Sequence, residues 1–376
     1  MTARRRDGLA LLGMTLLLLT AVYRAEEGLE VLAATALVAL FIARYWGRHA
    51  LDGVAYERML GDQRAFAGDT LDLSVRLTNG KLLPLPLIEI SDPVPLPLAV
   101  SDGSHPSGMD EIHHAVSLGW HERIAWRHRL SCRRRGVYSL GPATATSGDP
   151  FGLFTTSRVL GGATALIVYP RLVPVEALQL PPAYPQGERR AERWIFEDPS
   201  RTVGAREYRR GDTLRRIHWK ATARRQELQT RVYEPTTDVE IALFLALGTF
   251  QESPGAGADE PFERAVSVAA SLAHHFVIRG FPVGMYANGG TSRDAGPLEI
   301  APGSGSAQVT RILETLAAVD DLPSAPAALY LTDRVPKLPW GATAMVIGGC
   351  REESLGLAVD ALRKSGRRVE VMAIGS

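Results

Sequence analysis

Two uncharged runs near the N-terminus restrict what this chain can fold into more than any other feature. Gly8 to Tyr23 carries no charged side chain, and after Arg24-Ala-Glu-Glu27 a second run, broken only by Glu30, continues to Ala43. Each is close to the lower limit of the ~17–25 residues that a membrane-spanning helix needs. We read residues 1–50 as a tight hairpin of two transmembrane helices. The alternative for the first run is a cleaved secretory signal, because Arg4, Arg5 and Arg6 precede it. Against that, no convincing small-x-small cleavage site precedes Arg24, and a second apolar segment follows at once.

Basic residues then set an expected orientation. Arg4, Arg5 and Arg6 flank one end of the hairpin and Arg44, Arg48 and His49 the other, while the turn carries one Arg and two Glu. The excess of positive charge on the cytoplasmic side of membrane helices puts both ends inside the cell. The expected location is the inner membrane, multi-pass, with the soluble domains cytoplasmic. Lys and Arg number 42 against 41 Asp and Glu, a net charge of +1 that argues against a general nucleic-acid-binding role. Only two cysteines occur, Cys132 and Cys350, so neither a disulfide framework nor a zinc spacing is available.

The remaining chain reads as three further parts. Over residues 51–163 short β-like segments dominate: 70–78 alternates apolar and polar residues, Asn79-Gly80 is a turn signal, and 85–90, 123–130 and 136–140 are further strand candidates. This pattern predicts an antiparallel, immunoglobulin-like β-sandwich. His113-His114 would point to opposite faces of a strand, which argues against a shared metal. Residues 164–237 hold the strand 166–169, a Pro- and Gln-rich linker at 180–190 and a basic segment. From 238 to 376 strands and helices alternate: strands at 239–247, 282–287, 327–332, 344–347 and 368–374, helices at 262–279, 308–319 and 352–365. That alternation predicts a doubly wound α/β domain.

Chemistry in such a domain gathers at the carboxyl ends of strands. The loop Gly248-Thr249-Phe250 offers one hydroxyl, and Asp333 is the acid expected directly after a central strand. One Asp and one Thr are a weak set for a hard cation, so Asp333 and Thr249 are weak metal candidates and the expectation is no metal and no cofactor. Gly348-Gly349-Cys350 lacks the rest of a nucleotide fingerprint.

The most distinctive stretch runs from Arg206 to Arg225. Gly211-Asp212 reads as a helix start, Leu214, Ile217 and Ala221 fall on one face flanked by His218, and Trp219 lies off that face beside Arg215 and Arg216. Arg206, Tyr208, Arg210, Gly211, Asp212, Arg215, Arg216, His218, Trp219, Lys220 and Arg224 are the candidate partner-binding or interdomain residues. Three readings stay open: arginines paired with acids across a domain interface, a docking surface for an acidic partner or anionic lipid, and nucleic acid.

Tyr208-Arg-Arg-Gly-Asp-Thr-Leu-Arg-Arg-Ile-His-Trp-Lys-Ala-Thr-Ala-Arg224 resembles the signature of the bacterial domain-of-unknown-function 58 (DUF58) family. Arg135-Gly-Val-Tyr138, Asp149-Pro-Phe-Gly-Leu-Phe154 and Val168-Tyr169-Pro170 are similar to its upstream pattern. The resemblance implies a membrane-anchored bacterial protein whose C-terminal part is similar to a von Willebrand factor A domain. It also implies a companion MoxR-type AAA+ ATPase or transglutaminase-like membrane protein, and no established enzymatic activity. Such domains commonly carry an Asp-x-Ser-x-Ser metal loop, whereas this sequence has Ala246-Leu247-Gly248-Thr249-Phe250, and only Asp333 matches a later metal-site Asp. The expected function is a non-catalytic membrane scaffold or adaptor. The rivals are an enzyme using Arg206, Asp212, His218 and Lys220 on an anionic substrate, and an adhesion-like receptor.

Overall fold

A computed structural model describes residues 13, 20, 27–101, 111–174, 196–209, 216–236, 240–250, 259–291, 294, 296–339, 341–349 and 353–374. The chain divides into two compact units, Met1–Val168 and Tyr169–Ser376.

The first unit opens with helix α1 (Glu27–His49), which covers the second apolar run. Among the described residues it is the one helix long and apolar enough to cross a membrane, and most of its surface is exposed. The first apolar run lies outside the described residues except Gly13 and Thr20, both helical. Eleven strands follow: β1 (Val54–Leu60), β2 (Arg64–Phe66), β3 (Thr70–Asn79), β4 (Leu85–Pro93), β5 (Leu98–Ser101), β6 (Glu111–Leu118), β7 (Arg123–Cys132), β8 (Gly136–Leu140), β9 (Ala143–Gly148), β10 (Thr155–Leu160) and β11 (Thr164–Tyr169).

They form sheets of order β1-β3-β7-β5 and β10-β9-β4-β6, with a smaller sheet β2-β11-β8. The pairings within the two larger sheets are antiparallel. Alternation explains why they stack. Leu73, Val75 and Leu77 of β3 are buried while their neighbours are not, and they share one core with Ile88 and Ile90 of β4 and Ala143 and Ala145 of β9. The expected stack of antiparallel sheets is present, and strands β1, β2, β5, β6, β9 and β10 are not singled out by the sequence pattern.

One buried ion pair ties this unit together. Arg58 on β1 makes a two-pronged pair with Asp92 on β4, the side chains only 4% and 1% exposed. The Tyr56 hydroxyl donates to the same carboxylate at 2.6 Å, and burial, then that carboxylate, hold the phenol far above its ordinary pKa. Arg58 also donates to the Leu140 and Gly162 carbonyls and to the Thr164 hydroxyl. A guanidinium can satisfy so many acceptors because its donors are fixed in a planar fork.

The second unit contains a two-stranded ribbon, β12 (Phe196–Glu207) and β13 (Gln229–Thr236), joined through helix α2 (Trp219–Arg225). Then come β14 (Ile241–Leu245), α3 (Asp259–Ile278), β15 (Val283–Ala287), β16 (Gly289–Thr291), β17 (Leu298–Gly303), α4 (Ser306–Ala318), β18 (Val319–Pro323), α5 (Ala327–Arg334), β19 (Thr343–Gly349), α6 (Glu353–Lys364) and β20 (Arg368–Ile374). The five-stranded sheet has order β17-β15-β14-β19-β20, parallel except for the edge strand β17. Every residue of β14 and β15 is buried, as expected of strands covered on both faces. Ala242, Phe244 and Ala246 pack with Tyr330 and Leu331 of α5 and Leu355 and Val359 of α6 on one face. By alternation Leu243 and Leu245 face the other way.

One expectation fails outright. Residues 327–332 are not a strand but the body of helix α5. The apolar run was read for length, yet its buried members Ala327, Tyr330 and Leu331 sit at helical i, i+3, i+4 spacing. Pro326 occupies the N-cap position, where a missing N–H costs nothing. Asp333 therefore does not follow a central strand.

Candidate functional site

The sheet order changes direction between β14 and β19, and the crevice at their carboxyl ends is where a domain of this architecture would bind a ligand. Here that end is closed by hydrogen bonds. The Thr249 hydroxyl donates to the Ala246 carbonyl at 2.7 Å and accepts the Gly349 amide at 2.8 Å. A Cβ at Gly349 would collide with the Thr249 carbonyl oxygen, so only glycine lets the two chain segments approach this closely.

Asn288, 1% exposed at the end of β15, works like a bolt. Its Oδ1 accepts the Leu247 amide at 2.7 Å, and its Nδ2 donates to the Leu247 and Ala325 carbonyls at 3.1 and 2.7 Å. Asp321 accepts the Gly248 amide at 2.8 Å, and Gly248 adopts a left-handed φ of +78°.

An open cleft of about 310 Å³ remains beside these residues, lined by Leu247, Gly248, Pro323, Ser324, Ala325 and Pro326 with Ala327. The Ser324 hydroxyl donates to the Asn288 carbonyl at 2.8 Å. A divalent cation of the adhesion-site kind does not fit these donors: Thr249 has both its roles filled, and among the described residues no carboxylate lines the cleft. Asp333 cannot contribute. It lies six residues along α5 from Ala327, roughly 9 Å at 1.5 Å per residue. Both its oxygens accept from Lys337, at 2.6 and 2.7 Å. That ammonium, with Arg334 adding to it, holds the exposed Asp333 carboxyl below the usual carboxylate range. Among the described residues no three of His, Cys, Asp and Glu cluster as a metal site would require.

The basic segment occupies the tip of the β12–β13 ribbon. The Tyr208 amide donates to the Leu228 carbonyl at 2.9 Å, closing the ribbon behind it. Arg206, one residue before the end of β12, is exposed and donates to the Glu207 carbonyl. Arg210, Gly211, Asp212 and Arg215 lie outside the described residues. Helix α2 starts at Trp219 with His218 as its N-cap, and Ile217 just before it bridges to Thr230; the expected helix start at Gly211-Asp212 lies outside the described residues. The His218 Nδ1 accepts the Ala221 amide at 3.2 Å, and its carbonyl accepts those of Ala221 and Thr222.

Ile217 is buried, so the apolar strip is partly real, but α2 itself buries no residue. Trp219 is 67% exposed rather than gripped from a second side, and Arg216, Lys220 and Arg224 are exposed with it. His218 serves as a cap and Lys220 is exposed, while Asp212, expected to converge with them, lies outside the described residues.

Two further sequence candidates resolve differently. His114 does not pair with His113; its Nε2 meets that of His128 on β7 at 3.0 Å, and its ring stacks on Trp126 at 4.2 Å. Cys132 is buried, and burial, with Asp69 adding to it, pushes its thiol up to about 11. Cys350 lies outside the described residues. Asn288 and Asp321 escaped the sequence reading, although an Asn placed between an apolar strand and Gly289-Gly290 was a usable signal.

Residues 204–375 match the family described as "Protein of unknown function DUF58". The chain is 24% identical over 317 residues to the uncharacterized protein YeaD of Bacillus subtilis (strain 168), covering 80% of this chain and 72% of that protein. Among solved structures, the CARDB domain of a Pyrococcus furiosus protein in complex with di-metal ions matches with 13% identity and a TM-score of 0.22, covering 31% of this chain and 86% of that one. A non-cellulosomal cohesin from Archaeoglobus fulgidus matches with 13% identity and a TM-score of 0.22, covering 33% and 94%. Scores this low do not identify a fold.

Proposed function

We propose that the chain is a membrane-anchored, non-catalytic adaptor whose α/β domain is of the von Willebrand factor A type and whose ribbon tip docks a protein partner at the cytoplasmic face. The observation that carries this reading is the tip itself. An exposed tryptophan stands beside exposed Arg216, Lys220 and Arg224 on a short helix that buries none of its residues. Trp and Arg are the residue types that dominate protein–protein hot spots, and a cationic rim selects an acidic partner.

Supporting the domain assignment are the β17-β15-β14-β19-β20 order and the antiparallel edge strand β17. Supporting the anchor are the length and apolar surface of α1, and the basic Arg48 and His49 in its last turn favour a cytoplasmic sandwich. The closed carboxyl end of the sheet favours binding over chemistry. The partner that best suits a DUF58 chain is a MoxR-type AAA+ ATPase.

The test is a two-component binding assay between the full-length protein and the purified MoxR-type ATPase of the same organism. The double variant Lys220→Glu/Arg224→Glu should keep the wild-type melting temperature and lose binding at least tenfold, and Trp219→Ala should weaken it. Unchanged binding by a folded double variant overturns the docking role of the tip.

A further inference from the structure

The antiparallel register of the sandwich brings three loops to the end where α1 enters it. Val54 pairs with Asn79, Thr78 with Arg123, Leu85 with Leu118, and Thr155 with Gly148. The β3–β4, β6–β7 and β9–β10 connections therefore all lie beside residues 50–53, which follow the helix. Direct contacts fix this. The Trp46 indole donates to the Pro84 carbonyl at 3.1 Å, and Lys81 donates to the His49 and Ala50 carbonyls that end the helix. The His121 amide donates to the Lys81 carbonyl at 3.2 Å, and Asn79 Nδ2 to the Gly119 carbonyl at 2.8 Å. Gly47 packs against Phe154, and Arg44 lies over the Phe154 ring, 5.9 Å from its centre.

Each of these loops exposes large apolar side chains: Leu82 at 72%, Trp120 at 71%, and Phe151 and Leu153 at 67% and 58%. Large exposed apolar residues in loops are costly without a purpose when they gather in one place. Among the described residues of the connecting loops at the opposite end of the sandwich, Leu96 alone is exposed in this way.

We infer that these four side chains form a collar around the exit of α1 that inserts into the headgroup layer of the bilayer. The inference rests on the proposed membrane anchoring of α1. The occupant is lipid because the collar is continuous with the helix whose exposed apolar residues Phe41, Ile42 and Tyr45 lead directly up to it. Exposed Arg48 at the same level supplies a cation that anionic headgroups attract. Trp, Phe and Leu are the residues that lie at such a boundary. The collar would fix the sandwich upright on the membrane, so that it cannot swing freely about the helix.

The test uses the full-length protein in nanodiscs of zwitterionic and anionic phospholipid, with Cys350→Ser so that buried Cys132 is the remaining native thiol. Single spin labels are placed through Leu82→Cys, Phe151→Cys, Leu96→Cys and Leu32→Cys, and collision with oxygen is compared with collision with a water-soluble nickel chelate. The expected result is a deep membrane signal at position 32, interfacial depth at 82 and 151, with an oxygen-to-nickel ratio several-fold above that at 96, and a water-like value at 96. Water-like values at 82 and 151 beside a deep signal at 32 overturn the collar while the anchor stands. A water-like value at 32 overturns the anchor and the collar with it. Shielding of 82 and 151 from both reagents overturns lipid as the occupant and assigns the collar to a protein contact.

Discussion

The Thr249 hydroxyl accepts the Gly349 amide at 2.8 Å, and this one bond joins the ends of the two central strands at the place where a ligand of this domain would sit. A hydroxyl that both donates and accepts within the protein has little left for a cation. Calorimetry with Mg²⁺ and Mn²⁺ should show no binding, and the melting temperature should not move with either ion. Thr249→Val should destabilise by about 1–2 kcal/mol because the Gly349 amide loses its partner, while Thr249→Ser should be close to wild type. Metal binding that Asp333→Ala abolishes would contradict this account.

Asn288 gives a sharper test, because one side chain at the end of β15 ties the end of β14 to the segment before α5. Asn288→Ala removes the acceptor for the Leu247 amide and the donor to the Leu247 and Ala325 carbonyls. At 1% exposure water cannot replace them, and the loss should be about 2–4 kcal/mol in a chemical denaturation experiment. Asn288→Asp should be no better, since it keeps the acceptor but turns a carboxylate toward two carbonyls. An alanine variant as stable as wild type would show that the loop is held by other means.

How much of this was readable in the sequence follows a physical divide. Strand β3 was legible because its alternation is a local property, with one face in the core and the other outward. Helix α5 was not, because the short apolar run 327–331 satisfies a buried strand and a short helix equally, and only the packing of Tyr330 and Leu331 decides. The bridge between Ile217 and Thr230 just ahead of α2 likewise joins residues from two separate stretches and leaves no local signal. The Thr249–Gly349 and Arg58–Asp92 contacts span 100 and 34 residues and leave no local trace.

Arg58 and Asp92 should behave as a pair and not as two independent residues. Arg58→Met or Asp92→Leu alone leaves one buried charge uncompensated and should cost about 3–5 kcal/mol. The double variant Arg58→Met/Asp92→Leu should recover a large part of that, because the penalty lies in the orphaned charge. Equal losses in the double and single variants would mean that the hydrogen bonds to Leu140, Gly162 and Thr164, not the ion pair, are what the unit depends on.

Cys132 predicts an alkaline limb in the stability of the sandwich. Burial raises its thiol from 9.0 to about 11. Between those values the unfolded chain loses the proton while the folded chain keeps it, so the stabilisation is complete below pH 9 and lost as pH rises toward 11. Cys132→Ala should flatten this part of the pH profile. In the folded protein Cys132 should also resist alkylation at pH 8 and react once the protein is denatured.

The joint between α1 and the sandwich depends on a missing side chain. A Cβ at Gly47 would come within 2.7 Å of the Phe154 Cβ and 2.8 Å of its carbonyl oxygen, so even alanine must push the β9–β10 loop away from the helix. Overpacking of this kind costs about 1–3 kcal/mol, and Gly47→Val should lower the melting temperature of the full-length protein in detergent. Phe154→Gly, which removes the clashing Cβ, should rescue it only in part, because the carbonyl clash belongs to the backbone and cannot be mutated away. The two changes should therefore be non-additive but incompletely compensating in a double-mutant cycle. Strict additivity would show that the helix end and the loop do not touch. Full rescue would place the entire clash on the Phe154 side chain and leave the loop backbone free to shift.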